Sequence, residues 1–459
     1  MYVGDSTSDD AYIYMRYADN YLLSGVATFN LGERSHGITS VLWFVIGALT
    51  AQVAGNTIEV WKYLSLSFYF VFSFSLALLY LTIAKSALVA ILAAVLVLFD
   101  PFTFRWSSTG MENALVAISI LLVVVLLIYR RVTAAVFACA LLPLVRPELA
   151  VWGAVTATTA AWWMNERRER VATLALVYLI GIVASVAVNV ALFDALHPQT
   201  AAAKALVLKQ LDPAYALVQM LLIGTVVAAL PLAVVTYFAR RVRGSANELV
   251  PMLLLLGTLA YTLFVFLYAA HKNHLVSTRY STAYVLPLTL VGLAYAVTRV
   301  EITRQAVSVL AVGVVLQATV ASAVLLRTFP GTRTAEGRDI ATFVSQCIDP
   351  LPASAKIATT EVGAIAHFSD KYIVDLVGLT DEKTLQYLRT HEVERADRVA
   401  KLLAFRQATH YIDPMASDEN ASRRVGLPMV AVCRGLVGRN NVSSGETATN
   451  WVLYELGRP

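Results

Sequence analysis

Asp9 and Asp10 stand side by side in SDDAYIYMRYADN, a short polar segment that precedes a long series of apolar stretches. Two carboxylates beside a membrane are costly to keep unless they do chemistry, hold a cation or face water. The chemistry open to them is general-base work on a hydroxyl nucleophile. Each carboxylate raises the pKa of the other, and a nearby cation lowers it again. The plainer reading is helix capping. The residues that follow, with Ile13, Tyr17 and Tyr21 on one face, have helical spacing. Acidic residues at a helix N-terminus meet the positive end of its dipole.

A second set of polar residues falls between apolar segments on the same side as the pair: Arg16, Glu33, Arg34, His36, Glu112, Arg146, Glu148, Lys204, Lys209, His271, Lys272, His274 and Arg279. Lys204 or Arg279 could hold a phosphate, since fixed cations stabilise charge that develops on a leaving group. The plain alternatives are an ion pair joining helix ends for Arg146 and Glu148, and snorkelling among headgroups for Lys204. In SSTGMEN, residues 107–113, Gly110 permits a tight turn, and capping of the next helix explains Glu112 and Asn113. From these residues the substrate-binding set is Arg16, Glu33, His36, Glu112, Arg146, Lys204 and Arg279, with Asp9 and Asp10 catalytic. No metal-ligand spacing is present, so no cofactor is expected, although a divalent cation at Asp9 and Asp10 fits their chemistry.

The elements that must position these groups are read from hydropathy. Of 459 residues 58% are hydrophobic and 15% charged, against about 25% charged in soluble domains. The expectation is an all-α polytopic membrane domain over residues 1–326, with about ten spanning helices of roughly 20 residues each. The spans fall near 60–83, 86–99, 113–129, 132–146, 149–164, 170–196, 214–239, 249–270, 282–298 and 304–326. Basic residues cluster at Lys85, Arg130–Arg131, Arg167–Arg170, Arg240–Arg243 and Arg299–Arg304. Cytoplasmic loops are enriched in such residues. The alternation puts residues 1–58, SSTGMEN, HPQTAAAK and HKNHLVSTRY outside, provided 38–54 lies in the outer interface rather than crossing. A full crossing would put the acidic pair in the cytoplasm. The basic residues form short clusters and no stripe, which excludes nucleic acid.

Beyond residue 326 the composition becomes polar, and residues 327–459 read as a small extracytoplasmic α/β domain. AKIATTEVGAIAHF and KYIVDLVGLT read as short strands, and TDEKTLQYLRTHEVERADRVAKLLAF as one or two helices. Cys139 is inert packing. Cys347 and Cys433 are expected as free buried thiols, with one disulfide as the alternative outside the cell. N-x-S sequons stand at Asn420 and Asn441.

In order along the chain, DDAYIYMRYADN, FNLGERSHGITS, STGMEN, LVRPEL, HPQTAAAK, STRY and IVDLVGLTD resemble the GT-C superfamily of membrane glycosyltransferases. The resemblance covers residues 9 to about 381 and is nearest to the group that includes mycobacterial arabinofuranosyltransferases. It implies a sugar donor linked to polyprenyl phosphate, an extracytoplasmic glycan, lipid or protein acceptor, membrane lipids as partners, and a multi-pass protein of the cell membrane. It places the pair in the first outer loop, before two interfacial helices at 12–24 and 38–54. The base role carries to Asp9, with Asp10 as neighbour or alternative, and the lysine of P-x-T-x-x-x-K carries to Lys204. His36 and Ile38 depart from the acidic residue and tyrosine around the glycine of the group's G-Y-T-S element. Gln199 replaces the asparagine of P-N-T. In the family a spanning helix precedes the pair, whereas this sequence begins just before it. Two other classes compete. A transporter would show paired, interrupted repeats, which are absent, with charges instead at helix ends. A non-catalytic member kept for assembly or regulation is the other alternative.

Overall fold

A computed structural model of the chain describes residues 8–163, 168–200, 336–391, 397–413, 425–437 and 449–457, with scattered positions between 202 and 323. Among the described residues the first helices are α1 (Asp9–Ser24), α2 (Val41–Ala54), α3 (Ile58–Ala84), α4 (Ala87–Leu98), α5 (Pro101–Ser107), α6 (Asn113–Ile128), α7 (Val132–Val145), α8 (Leu149–Trp163) and α9 (Arg168–Phe193). Local signals set their ends. Gly25, in the left-handed region at φ 73°, closes α1, its N–H bonding back to the Tyr21 carbonyl. The Ser40 hydroxyl accepts the Trp43 N–H at the start of α2. Asp100 caps α5, and Pro101 opens its first turn, where a missing N–H costs nothing.

The expected ten-span architecture is not what these residues form. Among the described residues two helices, Ile58–Ile83 and Arg170–Phe193, are long and apolar enough to cross a membrane. A third crossing results only if α4 and α5, which meet at 61°, act as one bent span. The runs at 86–99, 113–129, 132–146 and 149–164 are apolar but too short. α4, α6, α7 and α8 have 12, 16, 14 and 15 residues. At about 1.5 Å per residue, 14 residues reach roughly 21 Å, against about 30 Å of hydrocarbon. Asp100–Pro101, Arg130–Arg131 and Arg146–Pro147 cut the runs. Much of the apolar surface of α6 and α7 is spent on packing, with Val116, Ile120, Val123 and Val124 of α6 and Val136, Cys139 and Leu142 of α7 buried in the core. The expected spans 214–239, 249–270, 282–298 and 304–326 lie outside the described residues, save isolated positions.

The C-terminal residues add α10 (Glu336–Phe343), a π turn at Val344–Ile348, β1 (Lys356–Thr359), α11 (Gly363–Phe368), β2 (Tyr372–Asp375), α12 (Glu382–Thr390), α13 (Arg398–Arg406), β3 (His410–Asp413), β4 (Met429–Val437) and β5 (Thr449–Leu456). The sheet runs β2-β1-β3-β5-β4, with β1 parallel to β2 and β3, and β5 antiparallel to both β3 and β4. Side chains alternate between its faces. Ile357, Ile373, Ile412 and Leu453 join the core shared with the helical bundle. Ala358, Val374, Tyr411, Val452 and Tyr454 pack with Leu388 of α12 and Leu402 and Leu403 of α13. EVGAIAHF, read as strand and turn, is instead the loop and helix α11.

Cys347 and Cys433 form a disulfide, with Cα atoms 5.6 Å apart. This corrects the expectation of free thiols. The π turn lies against β4 and brings the two sulfurs together. Asn420 and Asn441 lie outside the described residues.

Ala11–Ala18 of α1 are all buried, because α2 and α3 cover one side and α11 the other.

Candidate functional site

Successive helical residues point about 100° apart, and this separates Asp9 from Asp10. Asp10 turns into a cleft lined by Ile13, Tyr14, Gly37, Thr39, Met111, Arg146, Thr200 and Arg279. The cleft encloses about 30 Å³, room for one or two waters. Arg279 donates to Asp10 at 3.1 Å, to Glu112 Oε1 at 2.8 Å and to Asn113 Oδ1 at 3.2 Å. Arg146 shares the same Glu112 oxygen and donates through Nε to Glu148 at 2.7 Å. Glu112 is fully buried, and its second oxygen has no hydrogen-bond partner among the described residues. Four segments distant in sequence thus meet: the start of α1, the α5–α6 turn, the end of α7 and residue 279.

Glu112 stands at the N-cap position of α6, yet its side chain makes no capping bond. The capping explanation of SSTGMEN therefore fails. Gly110, at φ 80°, turns the chain so that the carboxylate faces the two arginines. Both guanidiniums have carboxylate partners, so an incoming phosphate must compete for them.

Asp9 faces the other way. Its two oxygens accept the backbone N–H groups of Gly363 and Ala364, each at 2.9 Å. Burial, then the charge of Glu361, pushes its pKa up to about 7; the two amides pull against them and the charge of Asp10 adds to them. A carboxylate poised there can exchange a proton near neutrality.

The other expected site residues lie elsewhere. Arg16 is buried and donates to the carbonyls of Phe29 at 3.1 Å and Ser369 at 2.9 Å, which makes it a strut between α1 and the C-terminal domain. His36 stacks on Phe193 with ring centroids 4.1 Å apart. Burial, with His197 beside it, pulls its pKa down to about 3, so the ring is neutral and packs. Glu33 belongs to a second cluster, accepting from Tyr372, from Lys383 at 2.5 Å and from Arg406 at 3.3 Å. Burial pushes the Glu33 carboxyl up, but the bonds from Lys383 and Tyr372 outweigh it and leave it below its usual range. Lys204 lies outside the described residues.

Sequence reasoning missed Tyr14, Asn113 and the 361–364 loop. Tyr14 was findable, being four residues after Asp10 and so on the same helix face. Its hydroxyl accepts the Ser40 N–H at 2.9 Å and pairs with Thr39 at 3.2 Å. Nothing local to Gly363 marks a contact with residue 9. Among the described residues no group of three or more His, Cys, Asp or Glu side chains could hold a metal ion.

Residues 330–452 match the family model "Domain of unknown function (DUF8728)". No curated protein matches the chain.

Proposed function

We propose that the chain is a membrane-bound glycosyltransferase that moves a sugar from a polyprenyl-phosphate donor to an extracytoplasmic glycan, lipid or protein acceptor, with inversion. The observation that carries the reading is the meeting of Asp10, Glu112, Arg146 and Arg279 in one cleft, with Asp9, one residue before Asp10, turned away from it toward the amides of Gly363 and Ala364 at a pKa of about 7. The acceptor hydroxyl loses its proton to Asp9 as its oxygen bonds to the anomeric carbon. The bond from that carbon to the phosphate oxygen breaks, and the lipid phosphate leaves as an anion. Arg279 draws that anion, exchanging its contact with Asp10 for one with phosphate. Arg146 and Glu112 hold Arg279 in place, so positioning and fixed charge supply most of the acceleration. The cleft is narrow, so the sugar ring sits at its mouth.

The test is transfer of labelled sugar from a synthetic polyprenyl-phosphate donor. Asp9→Asn should lower the rate about 10² to 10⁴-fold. Arg279→Ala should raise the donor KM, and Arg279→Lys should restore it in part. Full activity of the Asp9→Asn, Asp10→Asn double variant rules the mechanism out. No transfer by the wild type with any donor favours the non-catalytic alternative.

A further inference from the structure

One face of α1 lies along the C-terminal domain while the rest of the helix packs on α2 and α3. Asp9, Tyr12, Arg16 and Asp19 are spaced three, four and three residues apart, which puts them on one face of α1. All four meet α11 or its flanks. Asp9 accepts from Gly363 and Ala364. Tyr12 packs on His367 and Phe368. Arg16 donates to Ser369 at 2.9 Å, and Asp19 pairs with His367 Nδ1 at 2.9 Å. Just beyond, Asn30 exchanges two hydrogen bonds with Ile373 of β2, at 2.8 and 3.1 Å.

The closest approach is at the acidic residue. A Cβ on Gly363 would lie 2.0 Å from the Asp9 carbonyl oxygen and 2.9 Å from its carboxyl carbon. Only glycine lets the two backbones come this near. The loop that feeds α11 also carries Glu361, whose negative charge acts on Asp9.

We propose that residues 361–364 of the C-terminal domain are part of the reaction site, with Gly363 as the positioning residue whose close approach lets its own amide and that of Ala364 hold the Asp9 carboxylate. The role given to Asp9 rests on the glycosyl-transfer reading. The domain of unknown function then does a definite job. Its amides orient the base, and its Glu361 sets the pH at which that base loses its proton. The charged groups bearing on Asp9 are Glu361 from the C-terminal domain and Asp10 from α1, the latter paired with Arg279. Both carboxylates favour the protonated form of Asp9, and the amides favour the ionised form.

Two measurements on the full chain test this. The first is an infrared pH titration of the protonated-carboxyl band that Asp9→Asn removes, which needs no turnover. In the wild type that band should titrate near pH 7. In Glu361→Gln, a change that keeps the shape of the side chain, it should titrate at lower pH. The second is the pH profile of kcat/KM for sugar transfer, whose acid limb should move in the same direction. Gly363→Ala should lower kcat by about 10²-fold, the scale of a misplacement near 1 Å, with little change in donor KM. A band and acid limb that stay in place in Glu361→Gln, or full kcat in Gly363→Ala, overturn the proposal. A band that moves as expected in a protein with no transfer activity overturns the glycosyl-transfer reading and leaves the hold on Asp9 standing.

Discussion

Asp9 and Asp10 divide two tasks between adjacent carboxylates. Asp10 balances Arg279, while Asp9 meets two amides and the charge of Glu361. Activity should follow the ionised form of Asp9, so kcat/KM is expected to rise with pH and level off above about 7. A rate that is flat from pH 5 to 8, within roughly the ordinary titration range of perturbed carboxylates, would exclude Asp9 as the base. Stability runs the opposite way. The folded pKa of Asp9 exceeds the unfolded value near 3.9, so the folded chain binds the extra proton. The contribution of Asp9 is fully present below about pH 4 and is lost as pH rises through about 7. Asp9→Asn should flatten that slope in thermal melts. Glu112 behaves differently, because it is buried and shared by two arginines. Glu112→Gln takes one carboxylate from each guanidinium, leaving Arg146 with Glu148 and Arg279 with Asp10, and should cost about 2 kcal/mol, the scale of a hydrogen bond to a charged group. A melt unchanged from the wild type would show that Arg146 and Arg279 do not depend on Glu112.

At the scale of elements, α1 is the joint of the architecture, packed between α2 and α3 on one side and the C-terminal domain on the other. Its existence was legible from helical spacing after Asp10, and so was the acidic first turn. What it packs against was not, because a partner more than 340 residues away leaves no trace in local periodicity. The same limit explains Arg16 and Glu33. Each looked like a substrate ligand because it is polar in an apolar setting, and each is spent on contacts with the C-terminal domain. Helix length failed for a different reason. Hydropathy counts apolar residues whether they face lipid or other helices, and the buried faces of α6 and α7 read like spans. Gly37 tests the docking of the two parts. A Cβ there would lie 2.7 Å from Thr380 Cγ2 and 2.8 Å from the Leu379 carbonyl. Gly37→Val should loosen the C-terminal domain and speed proteolysis between the helical part and the sheet. Cleavage at the wild-type rate would show that the contact does not hold the domain.

Across the whole molecule, polarity is sorted by end. The site end carries the acidic pair, Glu112, Arg146 and the docked sheet domain. Trp61, early in α3, bonds to Asn56, which reaches Met15 and Asp19 of α1. Asp194, just past the end of α9, pairs with Arg34 at 2.5 Å. Both membrane-length helices therefore have one end beside α1 or the loop that follows it. Their other ends carry Lys85 and Arg168, and the turn between α6 and α7 adds Arg130 and Arg131. Basic residues at that end orient it to the cytoplasm if the two helices cross a bilayer. The Cys347–Cys433 disulfide fits an oxidising compartment on the opposite side. A membrane-impermeant thiol reagent on intact cells decides the matter. Ser8→Cys, next to the acidic pair, should be labelled from outside. Arg168→Cys, at the start of α9, should be labelled only after the cells are opened. The native cysteines add little background, since Cys139 is buried and the other two are bonded. Labelling of position 168 but not position 8 in intact cells would reverse the orientation. A lipid-linked donor presented outside would then have no access to Asp9, and the glycosyl-transfer reading would fall with it.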